Sequence, residues 1–218
     1  MLALMKRFLL TLSAFVILSS LSRGETPTRA ITLWNGKDFT GWEFVTRPQV
    51  PLSSVFHVTA DGAMATAGKP TGYLQTTTGY ENFAFHAEWR WMSKQRNNNS
   101  GFFMHITTGP KDRAWPVCLQ VQNKPGHAGD FIPMAGFTFA ECPPPPAKQL
   151  DRKGPDSENP VGEWNTCDVV CRGDTIECRI NGALQNTATK CTPHAGKIGI
   201  QLEGYPFEIR NVTLAPLK

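Results

Sequence analysis

Beyond its N-terminal stretch the sequence has no apolar run approaching the roughly 20 residues that a membrane-crossing helix requires. Nor does any stretch of a dozen residues show a helical period, which argues against the helical fold classes. No Lys/Arg stripe with interleaved aromatics occurs, and that excludes the usual footprint of a nucleic-acid-binding surface. Internal repeats and interdomain linkers are absent, so solenoids and multidomain arrangements fall away. Cys-x-x-Cys pairs and histidines at finger-like spacing are missing too, leaving only the four-residue separation of Cys167 and Cys171 to argue for a metal. Finally, no strand-length segment carries an acid pattern such as Glu-x-Asp-x-x-Glu, the carboxylate set of an ordinary retaining glucanase.

The N-terminal stretch is different. Lys6 and Arg7 precede the run FLLTLSAFVIL, and small residues close at Ser20-Leu21-Ser22, the three-part layout of a secretory signal. That apolar core is too short to span about 30 Å of hydrocarbon comfortably, so a signal over 1–22 with cleavage near Ser22 is expected, an uncleaved anchor being the alternative. The mature chain, 23–218, is then one exported domain, periplasmic or extracellular, without a membrane anchor. Losing Lys6 and Arg7 leaves 20 basic against 18 acidic residues, a net charge near +2 that also speaks against a nucleic-acid partner. Cysteines at 118, 142, 167, 171, 178 and 191 all fall in the mature part, and an even number in an oxidising compartment predicts disulfides. Cys171 and Cys178 flank Arg-Gly-Asp-Thr and are one candidate pair across a hairpin, although spacing does not choose among the possible pairings.

The segment 142–162 opens with four consecutive prolines and continues polar, so it predicts a long surface excursion. Elsewhere short β-type runs alternate with Gly, Pro, Asn and Asp, as in a sandwich or barrel. Strands are expected over 83–91, 102–106, 117–122, 165–171, 175–180, 198–203 and 206–214, with a hairpin turning at Gly173-Asp174. Successive strand side chains point to opposite sides. In FAFHAEWRW this sets Phe83, Phe85, Ala87, Trp89 and Trp91 against His86, Glu88 and Arg90. Gln120 and Gln122, Gln201 and Glu203, and Glu208 and Arg210 likewise fall on polar sides, and the alternation breaks at Asn211, which predicts a bulge there. The expectation is that several strands share one polar face. Either it meets solvent, or its Glu, Gln, Arg and His grip a hydroxyl-rich ligand.

The opening of the mature domain, ITLWNGKDFTGWEF, resembles the start of the 3-keto-disaccharide hydrolase domain family, with Leu33, Asn35, Gly36, Asp38, Gly41 and Trp42 in matching places. FAFHAEWRW followed by NNNSGFFM, AWPVCLQVQ, the Ala-Gly-Asp-Phe of 128–131, VGEWNTCDVVCRGDTIECRINGALQN and AGKIGIQLEGYPFEIRNVTLAPL continue the resemblance in the family's order to the C-terminus. It implies an all-β fold, a concanavalin A-like or laminin-G-like jelly-roll sandwich of two antiparallel sheets with a concave face for saccharide. It also implies action on glycosides already oxidised to a ketone at C3, and hence a partner dehydrogenase. A C3 carbonyl acidifies the hydrogen on C2, so a base can remove it and the enolate can expel the C1 substituent, after which water adds to the enone. That chemistry needs a base near C2, an electrophile at the ketone oxygen, and an acid or metal near the leaving oxygen.

On this footing Glu88 and His105 are candidates for proton transfer, Glu203 for a second carboxylate, and Arg210 or a bound divalent cation for developing oxygen charge. Gln120, Gln122 and Gln201 would hold hydroxyls, Asp130 would orient a neighbour, serve a turn or meet a metal, and His127 and Trp115 would lie at the groove's edge. Glu88 in a structural pair with Arg90 or Arg210 is the plainer alternative for that residue. Gln120 stands where many relatives carry an acid, and Glu203 where others carry His, so a non-catalytic, lectin-like carbohydrate-binding module is the second reading. A structural or interaction protein, marked by a groove filled with large apolar side chains, is the third.

Overall fold

The computed structural model describes residues 29–94, 97–145 and 147–218; the expected signal segment lies outside them. The described chain forms two antiparallel sheets and one short 3-10 turn at Leu52–Ser54. No helix among the described residues is long and apolar enough to cross a membrane. One sheet runs β12 (Ala183–Ala188), β11 (Thr175–Ile180), β10 (Asn165–Arg172), β6 (Phe83–Trp91), β14 (Phe207–Pro216), β4 (Met64–Thr66), β3 (Phe56–Val58). Its eighth strand, β1 (Ile31–Thr32), pairs with β14 near Leu214. The other sheet runs β2 (Trp42–Thr46), β5 (Gly72–Tyr80), β13 (Gly196–Leu202), β7 (Gly101–Ile106), β8 (Cys118–Gln122), β9 (Phe131–Met134). This is the expected two-sheet sandwich.

Alternation places the core. Phe83, Phe85, Ala87, Trp89 and Trp91 of β6 point inward with Cys167, Val169 and Cys171 of β10 and Phe207 and Ile209 of β14, and they meet Leu74, Phe102, Met104, Leu119, Val121, Ile198, Ile200 and Leu202 from the other sheet. Trp89 and Phe85 pack edge-on to Phe102, joining the two layers. Each such ring, taken fully out of water, contributes about 1.5–3 kcal/mol of burial. All seven expected strands are present, and β10 and β11 turn at Gly173-Asp174 as expected. The strands that periodicity does not reveal are short, as in β1, β3 and β4, or rich in Thr, Gln and Gly, as in β5.

Two bulges redirect side chains. In β14 the register against β6 slips between Arg210 and Thr213, and Asn211 takes the left-handed φ of 52°, so Ile209 and Val212 both face the core. This is the bulge expected at Asn211. In β7, Met104 and His105 together oppose the single residue Ile198 of β13, and His105 adopts φ 59°.

The disulfide expectation is corrected: all six cysteines are free thiols. Cys171 lies opposite Ile176 and Cys178 opposite Val169, so the proposed hairpin pair is offset. Cys167, Cys171, Cys178 and Cys191 behave as small core side chains.

The excursion over 142–162 lies along the surface as expected, but it is tied down. Leu150 exchanges backbone hydrogen bonds with Phe131 of β9, and the Lys153 N–H donates to the Gln185 carbonyl of β12. Strands β9 and β12 are the edges of the two sheets on one side. The excursion therefore spans and protects both edges, a common need of open sheets.

Candidate functional site

The structure separates what the sequence reading placed on one polar face. Glu88 and Arg210 lie on the outer face of the eight-stranded sheet, whereas Gln120, Gln122, Gln201 and Glu203 belong to the outer face of the six-stranded sheet. Period-two alternation says which side of a strand a residue occupies, not which sheet the strand joins, and the hydrophobic core stands between these two faces. The expectation of a single shared face is corrected accordingly.

On the eight-stranded sheet the charges are matched to one another. Glu88 accepts from Arg210 Nε at 2.7 Å and from Asn211 Nδ2 at 2.6 Å, and Arg90 Nε donates to Glu208 at 2.7 Å. The Arg90 and Arg210 guanidinium carbons lie 4.4 and 4.0 Å from the Trp164 ring centroid, and His86 Nδ1 meets Asp168 at 2.7 Å. Cross-strand register explains the pairs, since Arg210 lies opposite Glu88 and Glu208 opposite Arg90. Glu88 is thus in the structural pair weighed above.

On the six-stranded sheet the arrangement is of another kind. Gln122 Oε1 accepts the backbone N–H groups of Asn123 (3.0 Å) and Lys124 (3.2 Å) and one N–H of Gln120 (3.1 Å). Gln120 Nε2 also donates to Gln201 Oε1 at 2.9 Å, and Gln201 Nε2 donates to Glu203 Oε2 at 3.0 Å. Asn99 Nδ2 donates to the same carboxylate oxygen at 2.7 Å. Gly101 makes room: a Cβ there would sit 2.8 Å from both Cγ and Nε2 of Gln120. Burial raises the Glu203 carboxyl above its ordinary range, and Lys124 opposes this more weakly. Beside the amides an apolar cluster of Tyr73, Phe103, Ile106 and Cys118, capped by half-buried Trp115, fills part of the same face. Burial pushes the Tyr73 hydroxyl up to about 12, so it is a donor rather than an anion at neutral pH.

The bulge in β7 turns His105 inward, fully buried and edge-on to Phe83 with centroids 5.7 Å apart. Desolvation lowers it to about 4, against weaker support for the charged form from the carbonyls of Pro193 and Glu81. It is a core residue, out of reach of either outer face. Asp130 is buried and saturated: it accepts from the Arg152 backbone (2.7 Å), Gln149 Nε2 (3.0 Å) and His127 Nδ1 (2.9 Å), which gives it the turn role and ties the excursion down. His127 stays half exposed at this turn. Among the described residues no three His, Cys, Asp or Glu side chains converge as metal ligands. Asn99 and Lys124 join the site unannounced by the sequence, since NNNSG and NKPG read as turns.

Residues 29–215 match the family described as the 3-keto-alpha-glucoside-1,2-lyase-like domain. No curated protein shows a significant match. Among solved structures, a protein of Parabacteroides distasonis assigned as a glycosyl hydrolase is 22% identical with a TM-score of 0.63, over 87% of this chain and 94% of that one. A Bacillus licheniformis β-glucanase gives 14% identity and a TM-score of 0.57, covering 90% and 99%. A carbohydrate binding module of Bacillus subtilis gives 12% and 0.54, covering 80% and 95%. At these identities the structures share the jelly-roll fold. With a family match over nearly its whole described length, the chain belongs to the 3-keto-alpha-glucoside-1,2-lyase-like domain family, on a jelly-roll fold.

Proposed function

We propose that this exported protein cleaves a 3-keto-glycoside on the outer face of the six-stranded sheet, with Glu203 as the base. The observation that carries the reading is a carboxylate raised by burial, held through one oxygen by the neutral amides of Asn99 and Gln201. A carboxylate raised in this way is a stronger base toward a carbon-bound proton than a solvent-exposed one. Glu203 takes the proton from C2, and the C–H electrons form the enolate across C2 and C3. Expulsion of the C1 substituent then breaks the C1–O bond, and the leaving oxygen takes up a proton. Water adds at C1 of the enone while C2 regains a proton, so the sum is hydrolysis. Lys124, which acts electrostatically on Glu203, is the cation available here for developing oxygen charge. Tyr73, Phe103 and Trp115 would flank the sugar ring. An oxidation of the C3 hydroxyl by a partner dehydrogenase must supply the substrate.

The test is aglycone release from a 3-keto-glucoside and from its unoxidised parent by the purified mature protein. Release from the keto compound alone is expected; release from the parent as well, or from neither, overturns the reading. A saccharide-binding role without cleavage is the second reading, favoured by one observation: the three glutamines bond to each other rather than projecting singly. Saturable binding of either sugar with no release would identify it.

A further inference from the structure

Side-chain amides have two nearly identical ends, and which end faces which neighbour is decided by the hydrogen-bond network. Here the decision is made by groups that have no choice. The backbone N–H groups of Asn123 and Lys124 can only donate, and both point at Gln122 Oε1. That end of Gln122 is therefore oxygen, so Gln120 must turn its NH2 toward it. The same NH2 reaches Gln201 at 2.9 Å, so Gln201 must present its oxygen to Gln120 and its own NH2 to Glu203. All three glutamines are nearly inaccessible to water, which leaves no solvent to substitute for a misdirected amide.

We infer that Gln122 and Gln120 are positioning residues for Glu203, forming with Gln201 a one-way chain of amides that runs from the β8–β9 turn to the carboxylate. Each link polarises the next, so the donor that reaches Glu203 is reinforced from behind. Its effect is directional. With Asn99 it holds Oε2, leaving Oε1 as the atom to meet substrate, and it favours the ionised carboxylate against the opposing effect of burial. Glu203 is faced by Lys124 from the β8–β9 turn, by the neutral amide of Asn99 from the loop before β7, and by that of Gln201 on β13. Without the anchor, Gln201 is free to rotate and set its carbonyl against Oε2. The role in catalysis rests on Glu203 being the base; the chain itself does not, and it is measured without turnover.

The experiment is a 13C titration of the glutamate carboxyls in the mature chain, with the Glu203 signal assigned by Glu203→Gln. In Gln120→Met, which keeps length and adds no charge, the Glu203 pKa is expected to rise by about half a unit to one unit, the scale of weakening one hydrogen bond to a charged group. Gln75→Met, on the same face but outside the chain, is expected to leave it unchanged. If the protein cleaves 3-keto-glycosides, the acid limb of its kcat/KM profile moves upward with the carboxyl. An unchanged Glu203 titration in folded Gln120→Met overturns the inference. Should that variant not fold, Gln122→Met removes the anchor and carries the same expectation. The wild-type chain needs no variant: the side-chain NH2 signals of Gln201 and then Gln120 should follow the Glu203 titration, and their indifference would overturn the chain outright. A chain that titrates as expected in a protein with no cleavage activity leaves this inference standing and removes the catalytic one.

Discussion

Glu88 and Glu203 show how neighbours decide what a carboxylate can do. Glu88 faces a guanidinium across a strand pair and an Asn on a bulge, so its charge is neutralised where it stands. Glu203 is held by two neutral amides, and burial pushes it upward. Truncating the first is expected to cost stability, and neutralising the second to cost turnover. Glu203→Gln keeps the shape and is expected to lower kcat/KM on a 3-keto-glucoside by about 10²–10⁴-fold while melting no lower than the parent at neutral pH, because burial already disfavours the ionised carboxylate. His105 supplies a pH test of the interior. Its folded pKa of about 4 lies below the ordinary 6.5, so the unfolded chain binds the proton first. The stability this histidine allows is complete above about 6.5 and is lost as pH falls toward about 4. His105→Asn, which tolerates the left-handed backbone, is expected to flatten the fall in Tm over that interval, as thermal unfolding at stepped pH would show. Sequence alone offered His105 as a proton-transfer group because a one-residue bulge is invisible in GFFMHI, and plain alternation puts His105 on the side of Phe103.

At the scale of elements, alternation was legible wherever a strand is long and half aromatic, as in FAFHAEWRW, and the break at Asn211 marked a true bulge. It was not legible in β5, whose GYLQTTTGY carries little apolar contrast, nor in three-residue strands fixed by their neighbours. The proline-rich excursion was recognisable as an excursion, but its anchoring was not, because that depends on Asp130 meeting donors 19 and 22 residues away. Asp130→Ala leaves those donors unpaired and is expected to destabilise the domain by about 1–3 kcal/mol and to open the bonds after Lys148, Arg152 and Lys153 to trypsin. Glu158 sits in the same junction, accepting the Gly126 N–H, with Arg152, Asp156 and His127 around it. Burial is the main cause that raises it from 4.5 to about 7. The folded state thus keeps the proton longer than the unfolded chain, so stability falls as pH rises from about 4.5 to about 7 and the penalty is complete above that. Glu158→Gln should melt higher than wild type at pH 8 and equally at pH 4.5.

For the whole molecule, the deciding fact is that the polar residues of the sequence divide between two outer faces, one on each sheet, with the core in between. Strand order creates that division: β6, β10 and β14 pair with one another, whereas β7, β8 and β13 form the other layer. Nothing in a strand's own residues announces its partners, so the sandwich could be read from the sequence while the composition of its faces could not. The eight-stranded sheet uses its outer charges as matched pairs around Trp164, and the six-stranded sheet gathers amides, the Glu203 carboxylate, a Glu43–Lys197 pair and aromatic rings. The most direct measurement compares Glu203→Gln with Glu88→Gln, both verified as folded, for aglycone release from a 3-keto-glucoside. The account predicts that Glu203→Gln loses release while Glu88→Gln retains it within a few-fold; loss in Glu88→Gln with release preserved in Glu203→Gln would contradict it and move the site to the opposite face.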